Sequence, residues 1–144
     1  MKAALLLALR MTTGLLLIIW GLVKVMAPEI AIQVSDTYYD GRLSADGLQM
    51  LSGSGQIILG LMVVLGLFRV AVYPLQALLL VGGALAIWKY LLDPFGMYLV
   101  SEEARQVLFF PSTTVAVASL VLIAFRSDDR FALDRLFWRN TPAE

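Results

Sequence analysis

The chain has no histidine and no cysteine, and these two absences remove much of protein chemistry. Without imidazole or thiolate it has no common axial ligand for haem, no iron-sulfur cluster, no ordinary zinc site, no disulfide and no thiol catalysis. Catalytic triads are excluded for the same reason. Acidic residues are also missing from 5–26, 48–68, 72–91 and 107–125, which removes the carboxylate relays of proton pumps and many coupled transporters. The 11 basic and 11 acidic residues balance to a net charge of zero, so there is no electrostatic case for a nucleic acid partner. No catalytic residue and no metal ligand is assigned. A calcium loop starting at Asp36 fails, because Tyr38 and Gly47 stand where a third and a twelfth, glutamate ligand are needed.

What is present is apolar. Hydrophobic residues make up 60% of the 144 and charged residues 15%, with a mean hydropathy of +0.82, outside the range of ordinary soluble domains. The charges are gathered into short intervals. Asp46 and Arg69 enclose 22 uncharged residues, Arg69 and Lys89 enclose 19, and Arg105 and Arg126 enclose 20. Each run is close to the roughly 20 residues that carry a helix across ~30 Å of hydrocarbon. The first apolar stretch, Ala3 to Val23, is interrupted by Arg10. It still counts as a span if the guanidinium snorkels to the headgroups while its methylenes stay in lipid. A secretory signal peptide fits this stretch poorly, since Arg10 breaks the apolar core and Pro28 follows the small-residue pattern at Ala27. Continuous apolarity, without strict alternation, excludes barrel strands.

The expected fold is therefore all-α: an integral membrane four-helix bundle of two antiparallel transmembrane hairpins, residues 1–126, with spans at about 5–26, 48–68, 72–91 and 107–125. Residues 127–144 form an amphipathic tail. Ser127 is a suitable N-cap with Asp128 and Asp129 in the first turn, and Ala132, Leu133, Leu136 and Phe137 share a face, so a short interfacial helix is expected there. Lys2, Arg10, Arg69, Arg126, Arg130, Arg135 and Arg139 fall on one side of the spans, and only Lys24, Arg42, Lys89 and Arg105 on the other. The positive-inside rule then places both termini in the cytoplasm. An outward loop of about twenty residues, containing Pro28 and the polar, turn-prone stretch Ser35 to Gly47, is expected between the first two spans, and a second through Asp93, Pro94 and Gly96 between the last two.

Polar residues within the spans are few. Gln56 lies roughly 12 Å below the outer edge of the second span, on one face with Ser52 and Gly60. Gly82 with Ala86, and Ser112 with Ala116, are small-xxx-small pairs suited to close helix packing. By depth, Lys24, Gln56 and Lys89, with Trp20 and Trp88, approach one another in the outer half of the bundle. They are the candidate binding residues, for a quinone head or a lipid phosphate. Interfacial tryptophans also serve simply as a belt that fixes helix depth.

Leu9-Arg10, Gly14, Trp20-Gly21, Lys24 and Pro28 resemble the first helix of the DoxX-like family, in which an arginine opens the span and a glycine and lysine close it. Gly53 to Gly66, reading GSGQIILGLMVVLG and followed by Phe68-Arg69, resembles that family's second helix, with Gln56 where a glutamate is common. The resemblance, which extends to MauE-like maturation factors, implies a small bacterial inner-membrane protein of a group linked to membrane redox systems. It implies a noncatalytic accessory or assembly subunit of a membrane oxidoreductase, with membrane lipid and other membrane subunits as partners and a quinone or lipid pocket. A small oligomeric transporter or channel, built as a homo-oligomer, is the alternative, although no span carries a continuous polar stripe.

Overall fold

A computed structural model describes residues 1–39, 46–104 and 106–135. Its elements are α1 (Lys2–Met26), α2 (Pro28–Tyr38), α3 (Asp46–Leu65), α4 (Arg69–Ala86), α5 (Trp88–Leu92) and α6 (Pro111–Ala124), with single 3-10 turns at Glu102–Ala104, Val107–Phe109 and Arg126–Asp128. No strand occurs among the described residues. Four helical segments, Lys2–Met26, Gly47–Leu65, Arg69–Ala86 and Val107–Ala124, are long and apolar enough to cross a membrane. The fourth enters through the Val107–Phe109 turn, and the third is interrupted at Ile87 before α5 continues it.

Two departures from the sequence expectations stand out. The first half of the long loop after α1 is a helix, because Pro28 sits at its first position with a preset φ and Glu29 complements the N-terminal dipole. Residues 40–45, where the rest of that loop was expected, lie outside the described residues. The segment after α6 does not form a helix starting at Ser127. Its 3-10 turn ends at Asp128, Asp129 leaves helical geometry, and the chain turns into the end of the bundle. Helical residues resume only at Asp134 and Arg135, and 136–144 lie outside the described residues.

α1 and α3 form the tightest pair. Gly14 and Gly21 on α1 and Gly53 and Gly60 on α3 are each seven residues apart, so each pair shares one helix face. Gly14 faces Gly60 and Gly21 faces Gly53, as antiparallel helices require. A Cβ on Gly60 would lie 2.7 Å from the Gly14 carbonyl oxygen, and one on Gly21 would lie 2.7 Å from that of Gly53. The backbones therefore touch where only hydrogen fits. Leu6, Leu17, Leu59, Val63, Val72, Tyr73 and Leu122 fill the core between this pair, α4 and α6. Gly82 and Gly83 contrast with the interfacial glycines, since a Cβ there would meet nothing within 4 Å. The Gly82–Ala86 pair thus packs no helix among the described residues, whereas Ala116 is buried on α6.

α3 ends in a Schellman motif. Gly66 adopts φ 69°, the Leu67 N–H reaches the Met62 carbonyl at 3.0 Å and the Gly66 N–H reaches that of Val63 at 3.0 Å. Phe68 then takes a left-handed φ of 48°, uncommon for a residue with a Cβ, and α4 starts at once.

The glycine contacts predict opposite outcomes for the same substitution. Gly60→Ala drives a methyl into a backbone carbonyl and should lose about 1–3 kcal/mol of stability, whereas Gly82→Ala meets open space and should gain up to about 1 kcal/mol from helix propensity. Unfolding of both variants in detergent, followed by circular dichroism, checks this; equal shifts would show that the α1–α3 contact is looser than 2.7 Å.

Candidate functional site

An arginine inside an apolar helix must find an anion or keep water. Arg10 finds the anion. Its Nη1 donates to both carboxylate oxygens of Asp129, at 3.1 and 2.8 Å, and its Nη2 to the Phe131 carbonyl at 3.2 Å. Both side chains are almost wholly buried, 3% and 1% exposed, so Arg10 does not snorkel outward as expected from sequence. The reason is the tail, which brings a carboxylate to Arg10 and gives the guanidinium a partner inside the bundle.

The other partners tie the same point to α4. Tyr73 donates its hydroxyl to Asp129 Oδ2 at 2.6 Å. Arg69 Nη1 donates to the Asp129 and Arg126 carbonyls at 3.1 and 2.9 Å and lies 3.9 Å from Asp129 Oδ2. Asp134 accepts from the backbone N–H groups of Phe68 and Arg69 at 2.7 and 2.8 Å and from Arg69 Nε at 3.3 Å. Its carboxylate thus caps α4 from 65 residues away in sequence, supplying the acceptor that Phe68 lacks at that helix start. The Leu133 and Asp134 N–H groups donate to the Leu65 and Gly66 carbonyls, Ala132 is buried against Gly66, and Arg135 donates to the Ser127 carbonyl. Arg10 and Arg69 match the charges of Asp129 and Asp134, with Arg135 at the exposed edge of the network. Every residue in it holds another in place, and the arrangement closes this end of the bundle.

Polar character continues inward from Tyr73. Gln76, one turn along α4, is fully buried with neither amide atom paired among the described residues. Thr13 bonds the Leu9 and Arg10 carbonyls, and Ser119 that of Ala116, as isolated helix hydroxyls do. Outside the cluster, Lys2 pairs with Asp128 at 2.7 Å beside a shallow recess of about 190 Å³ lined by Met1, Lys2, Ala3, Asp128 and Arg130. That ion pair is exposed and contributes little.

The residues expected to bind a ligand lie toward the opposite end. Lys24 is half-buried with its Cβ against Gly53, so it faces the α3 surface on which Gln56 stands one turn further along. Trp20, Trp88 and Lys89 are exposed. Trp88 and Lys89 belong to α5, whose main neighbours are the end of α4 and the turn Val107–Phe109. No hydrogen bond or ion pair joins the five among the described residues. Among those residues, too, no group of acidic side chains is arranged to hold a metal ion.

At that same end Asp93 has a defined role. Its Oδ1 accepts from the Met97 N–H at 2.8 Å, and its Oδ2 from those of Tyr98, Leu99 and Val100 at 2.7, 2.7 and 3.2 Å. These donors, led by Met97 and Tyr98, hold the carboxyl well below the usual carboxylate range. Tyr38, Tyr90 and Phe109 stack edge to face behind it, with centroids 4.8 to 5.8 Å apart, and Gln106 donates to the Tyr38 hydroxyl at 2.9 Å. α2, α5 and the 107–109 turn are thereby joined.

No family model, no curated protein and no solved structure matches the chain. The two short apolar motifs are the whole support of the DoxX-like resemblance.

Two measurements test these clusters. Arg10→Met or Asp129→Leu alone leaves a buried charge without its partner and should cost about 3–5 kcal/mol, while the double variant should recover much of that loss; additive losses in the unfolding cycle would show that the two ions are not coupled. The folded pKa of Asp93 is depressed, so its contribution is complete above the unfolded value of about 4 and disappears as pH falls through the folded value. The stability gap between wild type and Asp93→Asn should therefore be constant from pH 7 to 5 and shrink in stronger acid.

Proposed function

We propose that this chain is an integral membrane protein that works without catalysis of its own, as an accessory or assembly subunit bound to another membrane protein. The carrying observation is the contrast among its glycines. Gly14 and Gly21 on α1 and Gly53 and Gly60 on α3 are filled by each other, while Gly82 and Gly83 on α4, open like Gly47 and Gly55 on α3, stand as an adjacent pair on a surface that also exposes Leu75, Leu78, Leu79 and Leu85. In lipid, where apolar surface alone drives no association, small residues are where another helix approaches closely. The four span-length apolar helices support residence in a bilayer, and the excess of basic residues at the Arg10 end supports that end as cytoplasmic. The closed Arg10–Asp129 cluster supports a structural rather than a chemical use of the buried charges.

The redox partner, a membrane oxidoreductase of the bacterial inner membrane, rests on the DoxX-like motifs. A quinone head or lipid phosphate beside Lys24 and Gln56 belongs to the same reading, with Trp20, Trp88 and Lys89 at its exposed margin.

The native chain has no cysteine, so a single Gly82→Cys variant reports the neighbour of α4. Photocrosslinking from that position in native membranes, followed by mass spectrometry, should yield one adduct with a different membrane protein, and adding Ala86→Ile, one turn along the same exposed face, should abolish it. An adduct with a second copy of the chain would favour the oligomeric transporter; lipid adducts alone would refute the subunit reading.

A further inference from the structure

The loop that follows α5 is built unlike an exposed loop. From Pro94 to Ser101 it carries no charge, and its side chains point outward: Phe95, Met97 and Tyr98 are 63%, 68% and 86% exposed, and Leu99 is half exposed. Leu108 and Phe110 are exposed on the returning strand of chain. An aqueous loop would show water its backbone and bury such side chains, and this one does the reverse. The N–H groups of residues 97 to 100 all end on the Asp93 carboxylate, itself 5% exposed, and the Gly96 N–H ends on the Asp93 carbonyl at 3.2 Å. Gly96, at φ 69°, allows the turn, since a Cβ there would lie 2.6 Å from the Ser101 carbonyl oxygen.

Satisfied backbone donors are what a non-helical segment needs before it can leave water, because lipid offers none of the partners that water does. Position gives the occupant. Arg69 to Leu92 is 24 residues of nearly continuous helix, on the order of 36 Å, slightly longer than a ~30 Å hydrocarbon core. The loop therefore emerges at the level of the headgroups, where tyrosine and tryptophan rings are favoured, and Trp88 is exposed just below it. We propose that the 94–100 loop is a membrane-interface anchor: folded around Asp93, it inserts Phe95, Met97, Tyr98 and Leu99 into the interfacial layer of the bilayer that surrounds the helices. Lacking cations, it takes a neutral interface as readily as an anionic one. The tyrosine–phenylalanine cluster behind it transmits that depth to α2.

The inference rests on the membrane reading above, and the test separates the two. An environment-sensitive fluorophore is attached to Tyr98→Cys, Met97→Cys, Glu103→Cys and the mid-helix Leu61→Cys, each in the full chain reconstituted in phosphatidylcholine vesicles with and without phosphatidylglycerol. The expected result is several-fold stronger quenching by shallow spin-labelled lipid, and several-fold weaker quenching by iodide, at 97 and 98 than at 103, in both lipid mixtures. Asp93→Ala, with helix content unchanged, should return the probe at 98 to iodide by a similar factor. If 97 and 98 match 103 while 61 is quenched by lipid, the anchor is refuted and the membrane reading stands; if 61 also escapes lipid, both fall. Protection at 98 that appears only when a second protein is reconstituted would likewise overturn the proposal.

Discussion

The bundle depends on the neutralisation of one buried cation. A guanidinium in an apolar helix interior is tolerable only with a well-placed counter-ion, and the one that Arg10 uses comes from the far end of the chain. Bringing Asp129 to Arg10 fixes the direction in which the chain leaves α6. It also carries Ala132 onto Gly66 and Asp134 onto the start of α4. The left-handed Phe68 and the immediate onset of α4 are then held by the same segment that supplies the counter-ion. Charge, turn geometry and helix capping at this end are one interlocked solution.

The opposite end is organised by another carboxylate with opposite neighbours. Asp129 is satisfied by side chains from two elements, α1 and α4, whereas Asp93 is satisfied by the backbone of the loop it begins. The first device ties distant parts of the chain together, and the second makes a short stretch rigid by itself. Between them the α1–α3 pair packs backbone to backbone through its facing glycines, which leaves little room for sliding.

The span-length helices were legible because hydrophobicity is a local property: Asp46, Arg69 and Arg126 stand at the edges of charge-free runs, and the helices end near them. The interruption at Ile87 falls inside such a run, where no charge marks it. Helix α2 carried a readable start in Pro28 and Glu29, which turn-prone residues further on obscured. The tail shows local signals overruled: Ser127, Asp128 and Asp129 suit a helix N-terminus, but the demand of Arg10 for a partner 119 residues away is stronger. That demand was itself visible, since an arginine in a span calls for an acid and few acids lie at that end. The expected site at Lys24, Gln56, Lys89, Trp20 and Trp88 rested on depth along each helix, which says nothing about rotation around it. Lys24 turns toward α3, while Lys89 turns outward.

The separation of Arg10 from Asp129 also has a temporal side. Ribosomes add roughly 5–20 residues per second, so α1 exists for several seconds before its counter-ion has been made. During that interval the cation of the nascent first helix lacks the carboxylate that neutralises it in the fold. Only when the segment around Asp129 has been made can Arg10 take its final partner. Synthesis of the Asp129 segment and closure of this end of the bundle are thereby coupled, and until then the first helix carries a charge without the counter-ion it has in the fold.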